Sequence, residues 1–183
     1  MHLWFRTLLV MLRARRRSKL GVHDLGRLAL RVLPTDTDLL GHINNGVYLS
    51  IMDLGRFDLL IRAGMWDTLR AAGIYPVVVY ETISFRRSLD LWVRYELQTK
   101  VLGYDERVVY IEQRFVRDGE VCAVGIMAGR FLRRGGGSVG TAELAELLGV
   151  DRSELVLPDW VVRWAADSRL PSNREPFPSD WSI

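Results

Sequence analysis

The chain has one cysteine and three histidines, and no apolar run approaching the ~20 residues that span a bilayer. A single cysteine, Cys122, excludes an intrachain disulfide and a cysteine-based zinc site. It sits in the strand-like run Val121-Cys122-Ala123-Val124 and reads as a buried inert thiol, not a nucleophile. Three unclustered histidines offer no ligand set, so no metal is expected. No cofactor is called for either. Acids are missing altogether from residues 1–20, which hold Arg6, Arg13, Arg15, Arg16, Arg17 and Lys19.

The overall charge of +3 therefore belongs to one arm, because the remainder carries 19 basic against 22 acidic residues. A secretory signal would put its charge before the apolar run. Here Leu3 to Leu12 comes first and most of the charge follows. The arm reads as a short helix lying on something. Packing on the domain or a dimer mate is the simpler reading. Peripheral contact with an anionic membrane surface is the sharper one. It lacks any nucleic-acid module, so no nucleic-acid partner is expected. The chain as a whole, 183 residues with 49% hydrophobic content, suffices for one domain with a substantial core.

Gly26 to Leu33 reads as a first strand stopped by Pro34. A loop from Thr35 to Asn45 is rich in Asp, Asn, Gly and Thr. From Val47 the apolar spacing turns helical through Ile51, Leu54, Phe57 and Ile61, with Asn44 or Asn45 as the cap and Gly64 as the stop. Trp66 to Ala72 adds another turn or two. Four strand-like stretches follow: Pro76–Phe85, Leu91–Leu102, Arg107–Val116 and Glu120–Leu132. Gly103–Glu106 and Arg117-Asp118-Gly119 read as hairpin turns. This predicts an α+β domain, an antiparallel meander wrapped around one helix. Its expected limits are residues 21–134, with the arm at 1–20. An extension at 135–183 carries short helices at Thr141–Gly149 and Trp160–Ala166.

Chemistry concentrates in the loop. Asp36 and Asp38 precede a helix, Gly41 lets backbone approach closely, and Asn45 stands at the helix start. A helix N-terminus presents free N–H groups and a positive dipole end, suited to a developing oxyanion. A carboxylate just upstream can attack a carbonyl or activate water beside it. Asp and Asn in loops are more often turn and cap residues. Spacing alone leaves both readings open.

The run Arg31 to Leu49, with Asp36-Thr37-Asp38-Leu39-Leu40-Gly41-His42-Ile43-Asn44-Asn45 at its centre, resembles the signature of the 4-hydroxybenzoyl-CoA thioesterase type of hotdog proteins. The segment Asp53-Leu54-Gly55-Arg56-Phe57 is similar to that family's acidic-to-Arg helix segment. The likeness covers roughly Gly26 to Leu132 by strand order and is specific over Arg31 to Asp58. Arm and tail resemble, less specifically, those of the thioesterase-like branch.

What the resemblance implies is a hotdog fold and hydrolysis of an acyl-CoA. Asp38 matches the catalytic aspartate. Asn45 matches the residue whose backbone N–H polarises the thioester carbonyl. Gly41, His42, Asn44 and Tyr48 match positions that border the substrate. Better-known members have His or Tyr where this chain has Asn45, a change that a backbone role survives and a side-chain role does not. Asp36 is expected to order the loop, and Asp53 to pair with Arg56. The assembly implied is a homodimer or a dimer of dimers, in the cytoplasm. The alternative is a non-catalytic hotdog protein that binds acyl thioesters or sits on a membrane. A hydratase is disfavoured, because no Asn-Pro separates Asp38 from His42.

Overall fold

The computed structural model describes residues 3–151, 156–171 and 175–179. The first helix, α1 (Trp4–Ala14), is followed by strand β1 (Gly26–Arg31) and a single 3-10 turn at Pro34–Asp36. The long helix α2 (Asn45–Arg62) comes next, then the short helix α3 (Met65–Ala71). The four long strands are β2 (Ile74–Phe85), β3 (Arg94–Tyr104), β4 (Val108–Arg117) and β5 (Glu120–Arg133). A two-residue β6 (Ser138–Val139) and helices α4 (Thr141–Leu148) and α5 (Asp159–Ser168) complete the described chain.

α2 starts two residues earlier than the apolar spacing predicts, because the Asn44 side chain caps it by accepting the Gly46 N–H at 3.0 Å. It ends before Gly64, whose φ of +73° is the left-handed conformation glycine adopts without strain. The Asp118-Gly119 turn has positive φ at both residues, as a two-residue hairpin requires.

The sheet runs in the order β1-β3-β4-β5-β2, with every pairing antiparallel and β6 added beside β5. Only β3, β4 and β5 form a meander. β2 pairs with β5 at the far edge, and β3 begins at Arg94, not Leu91. Between them the chain crosses from one side of the sheet to the other, anchored by fully buried Leu89. Trp92, at φ +68°, turns it into β3.

Alternation along β4 directs Gln113 and Phe115 toward α2, while Val108 and Tyr110 pack under Val161 and Ala165 of α5. Ile51, Met52 and Leu54 of α2 lie buried among Leu97, Phe115 and Ala123 of the sheet. Buried Gln113 bonds helix to sheet, donating to the Met52 carbonyl at 2.9 Å and to Thr99 Oγ1 at 2.9 Å, and accepting from Arg56 at 3.0 Å. α1 packs on α2 with Leu3 and Val10 in the core. One helix wrapped by a curved antiparallel sheet is the hotdog arrangement, an α+β fold.

Gly55 is where helix and sheet approach most closely. A Cβ there would lie 2.5 Å from Thr99 Oγ1 and 2.8 Å from both Gln113 Nε2 and Leu97 Cδ2. Gly55→Ala is therefore predicted to cost about 1–3 kcal/mol, the usual penalty for overfilling a packed core. A lowered urea midpoint at unchanged m-value would register it; an unmoved midpoint would contradict the close approach.

Candidate active site

Loop 36–45 is closed by Asp36. Its carboxylate is 0% exposed, and it accepts both oxygens' hydrogen bonds from Arg6 Nη1, at 2.8 and 2.7 Å. The Leu33 N–H adds a bond of 2.9 Å to the same carboxylate. The Asp36 carbonyl accepts the Asn44 N–H at 2.9 Å, so the two ends of the loop are tied at one residue. Buried charge must be compensated in this way. Beside the pair lies buried Tyr95, whose pKa desolvation raises while Arg6 opposes the shift.

Asp38 to His42 forms a tight turn. The Gly41 N–H donates to the Asp38 carbonyl at 3.1 Å and the Asp38 N–H to the His42 carbonyl at 3.1 Å. Gly41 sits at φ +80°. This is a type I turn followed by a left-handed residue, which explains why Asp and Gly stand three apart. Asp38 Oδ1 accepts the Leu40 N–H at 2.9 Å. Oδ2 lies 3.7 Å from His42 Nδ1, too far for a hydrogen bond. Both side chains are partly exposed. The turn is pinned by the crossover segment, through Ile43 N–H to Leu89 O and Leu91 N–H to Gly41 O, each 3.0 Å. Leu39 and Leu40 project from its tip, Leu39 fully exposed and Leu40 largely so.

Asn44 and Asn45 are exposed at the start of α2. With Gly46 N–H bonded to the Asn44 side chain, the Asn45 N–H is a helix-end donor without an acceptor among the described residues. Thus Asp38, Gly41, His42, Asn44 and Asn45 gather at one loop-to-helix junction. Tyr48 is placed differently. It is 2% exposed and packs edge-on against Phe85 at 5.0 Å and Phe115 at 4.7 Å. Burial pushes its pKa up to about 12, with nearby Cys122 adding to the shift.

A cavity of about 170 Å³ lies farther along α2. Phe57 and Leu60 of α2, Ile111 of β4, Met127 of β5 and Leu144 of α4 line it, together with Asp53 and Arg56. Arg56 pairs with Asp53 at 2.7 Å and stands 3.8 Å from Glu81, whose pKa burial raises despite Arg56. No local pattern announces this space. It exists because α4 folds back over the sheet's concave end.

A model described as the thioesterase-like superfamily matches residues 32–178. The chain belongs to that superfamily. Among curated proteins it resembles Protein THEM6 of Xenopus laevis, 42% identical over 95 residues, 51% of this chain and 46% of the relative. The chain thus spans about half the length of the curated relatives it matches. Its fold is similar to that of the probable thioesterase YbaW from Escherichia coli, with TM-score 0.62, 21% identity, and 67% of this chain and 95% of that one covered. It is also similar to DHNA-CoA thioesterase from Staphylococcus aureus, with TM-score 0.60, 16% identity, and 78% and 90% covered.

Arg6→Ala would leave the Asp36 carboxylate buried without its cation. Denaturant unfolding should show a loss of about 3 kcal/mol, the lower end for breaking a buried pair. A loss below about 0.5 kcal/mol, as for an exposed pair, would show that Arg6 does not hold the loop.

Proposed function

We propose that the protein hydrolyses an acyl-CoA thioester to a free acid and CoA. The observation that carries this is the division of labour in Asp38. One carboxylate oxygen holds the turn and the other, 3.7 Å from His42 Nδ1, makes no hydrogen bond among the described residues, on a loop that runs straight into the open N-terminus of α2. The thioester carbonyl oxygen would accept the Asn45 N–H, where the helix dipole favours a developing negative charge. Asp38 would then attack the carbonyl carbon to give a mixed anhydride and CoA thiolate, with water cleaving the anhydride. Equally, it would take a proton from water that attacks directly. Gly41, His42 and Asn44 border the reacting group, and Tyr48 supports the first turn of α2 from within. Membership of the thioesterase-like superfamily and the fold shared with a CoA thioesterase support the reading. It carries with it a cytoplasmic location, where CoA thioesters are held.

The reading includes a homodimer. β2 is a long edge strand, and Tyr75, Val78, Val79 and Phe85 on it are exposed. Such an edge is normally paired or covered. Antiparallel pairing of two β2 strands along their length would bring the end carrying Phe85, which touches Tyr48, near the other copy's opposite end, where Pro76 lies. Pro76 borders the apolar cavity. An acyl chain could then run from one protomer's helix start into its mate's cavity, which is similar in size to the ~150 Å³ apolar cavity that holds benzene in an engineered protein. Light scattering at micromolar concentration is expected to give at least twice the 21.0 kDa chain mass. A monomer would contradict the shared site.

Thiol release across a panel of acyl-CoAs tests the activity. Asp38→Asn keeps shape and removes charge. It is predicted to lower kcat by about a hundredfold or more, as expected for loss of a positioned base or nucleophile, with little change in stability. Equal turnover in the two proteins would sink the assignment of Asp38. Absence of release from every acyl-CoA would favour a protein that binds thioesters without cleaving them.

A further inference from the structure

α1 is apolar on two sides. Leu3, Val10 and Ala14 are buried against the domain, and Arg6 reaches inward to Asp36. Trp4, Phe5, Leu8, Leu9 and Leu12 project outward, and Phe5 is 85% exposed. At ~100° per residue these five fall within an arc of about 140°, and the inward-facing residues fill the opposite side. The outward stripe is therefore not a fragment of core left uncovered by a loosely attached arm. The inner face is already packed, and its orientation is clamped by Arg6–Asp36, Arg17–Asp58 and Arg15–Asp67. What remains is a rigid, solvent-facing row of large apolar side chains that costs free energy in water and must be covered by something.

Charge identifies the occupant. Arg13, Arg16 and Lys19 pair with no acid among the described residues, and they lie on or just after the same helix. On a helical projection Arg13 flanks the apolar arc, and Arg16 follows in the turn after the helix end. A second copy meeting this face with its own α1 would bring its own Arg13, Arg16 and Lys19 toward these. A row of Trp, Phe and Leu beside unpaired cations matches the boundary of an anionic bilayer, where rings and leucines enter the acyl region and arginines meet phosphates. At ~1.5 Å per residue the helix is about 16 Å long, half of the ~30 Å hydrocarbon core, so it lies in the plane of the surface. We infer that the outward face of α1 docks the folded domain on the surface of anionic lipid, with the helix parallel to the bilayer. Because the inner face of the same helix holds Asp36, docking also carries loop 36–45 toward the lipid surface.

Removing the arm would strip core residues, unpair Asp36 and leave Asp58 with Arg62 alone, so surface substitutions in the full chain are the appropriate test. Flotation with vesicles of phosphatidylcholine containing phosphatidylglycerol is compared with flotation on phosphatidylcholine alone. The wild-type protein is expected to float with the anionic vesicles and much less with the neutral ones. Phe5→Glu/Leu8→Glu should lower the affinity at least about tenfold at an unchanged melting temperature. Arg13→Glu/Arg16→Glu, which leaves the apolar row intact, should lose the preference for phosphatidylglycerol, each cation contributing about fivefold. The proposal is overturned if the wild-type protein ignores anionic vesicles, or if both double variants float as it does. It is also overturned if Phe5→Glu/Leu8→Glu instead dissociates a wild-type oligomer that never binds lipid, since the face would then be a protein contact.

Discussion

A carboxylate with no exposure to water can persist only if a cation and hydrogen-bond donors replace its hydration. Asp36 is such a group, and the candidate site depends on how it is satisfied. Arg6 comes to it from α1, and the Leu33 N–H from the exit of β1. Its own carbonyl then takes the N–H of Asn44, the cap of α2. Four parts of the chain thus converge on one residue: first helix, first strand, loop and central helix. The N-terminal helix is in consequence part of the domain's framework, even though its outer surface is turned to solvent.

With the loop closed there, the residues beyond it combine two tasks. Asp38 and Gly41 satisfy the demands of a tight turn, and Asn44 those of a helix cap. Those demands use one oxygen of Asp38, the side chain of Asn44 and the N–H of Gly46. They leave the other Asp38 oxygen and the N–H of Asn45. Turn chemistry and reaction chemistry are therefore not competing explanations of the same residues. On the proposed reading, the turn fixes a carboxylate a few residues before a helix N-terminus, and fixed donors are what act effectively on a developing charge.

Much of this was legible locally. Apolar spacing announced α2, strand-like runs announced β3 and β4, and Asp118-Gly119 announced a hairpin, because each signal rests on neighbours in the chain. What spacing could not reveal lies in contacts between distant residues. β2 joins β5 across nearly fifty residues instead of continuing a meander with β3, since the Arg86–Val93 segment crosses the sheet. Arg6 finds Asp36 thirty positions away. Tyr48, an aromatic on the first helical turn, points into the core between Phe85 and Phe115. The cavity depends on α4, a segment whose own sequence suggests only a short helix. The arm shows a subtler difficulty. Packing on the domain and facing a lipid surface looked like alternatives, yet a helix apolar on both sides permits both.

The central claim is that the start of α2 polarises a thioester carbonyl held beside Asp38. Isotope-edited infrared spectroscopy of a carbonyl-labelled acyl-CoA bound to Asp38→Asn reads that polarisation directly, because the substrate survives in the variant. The account predicts a carbonyl band displaced to lower frequency than in water, as hydrogen bonding from the Asn45 N–H weakens the C=O bond. A band at its aqueous position, with the ligand demonstrably bound, would contradict it.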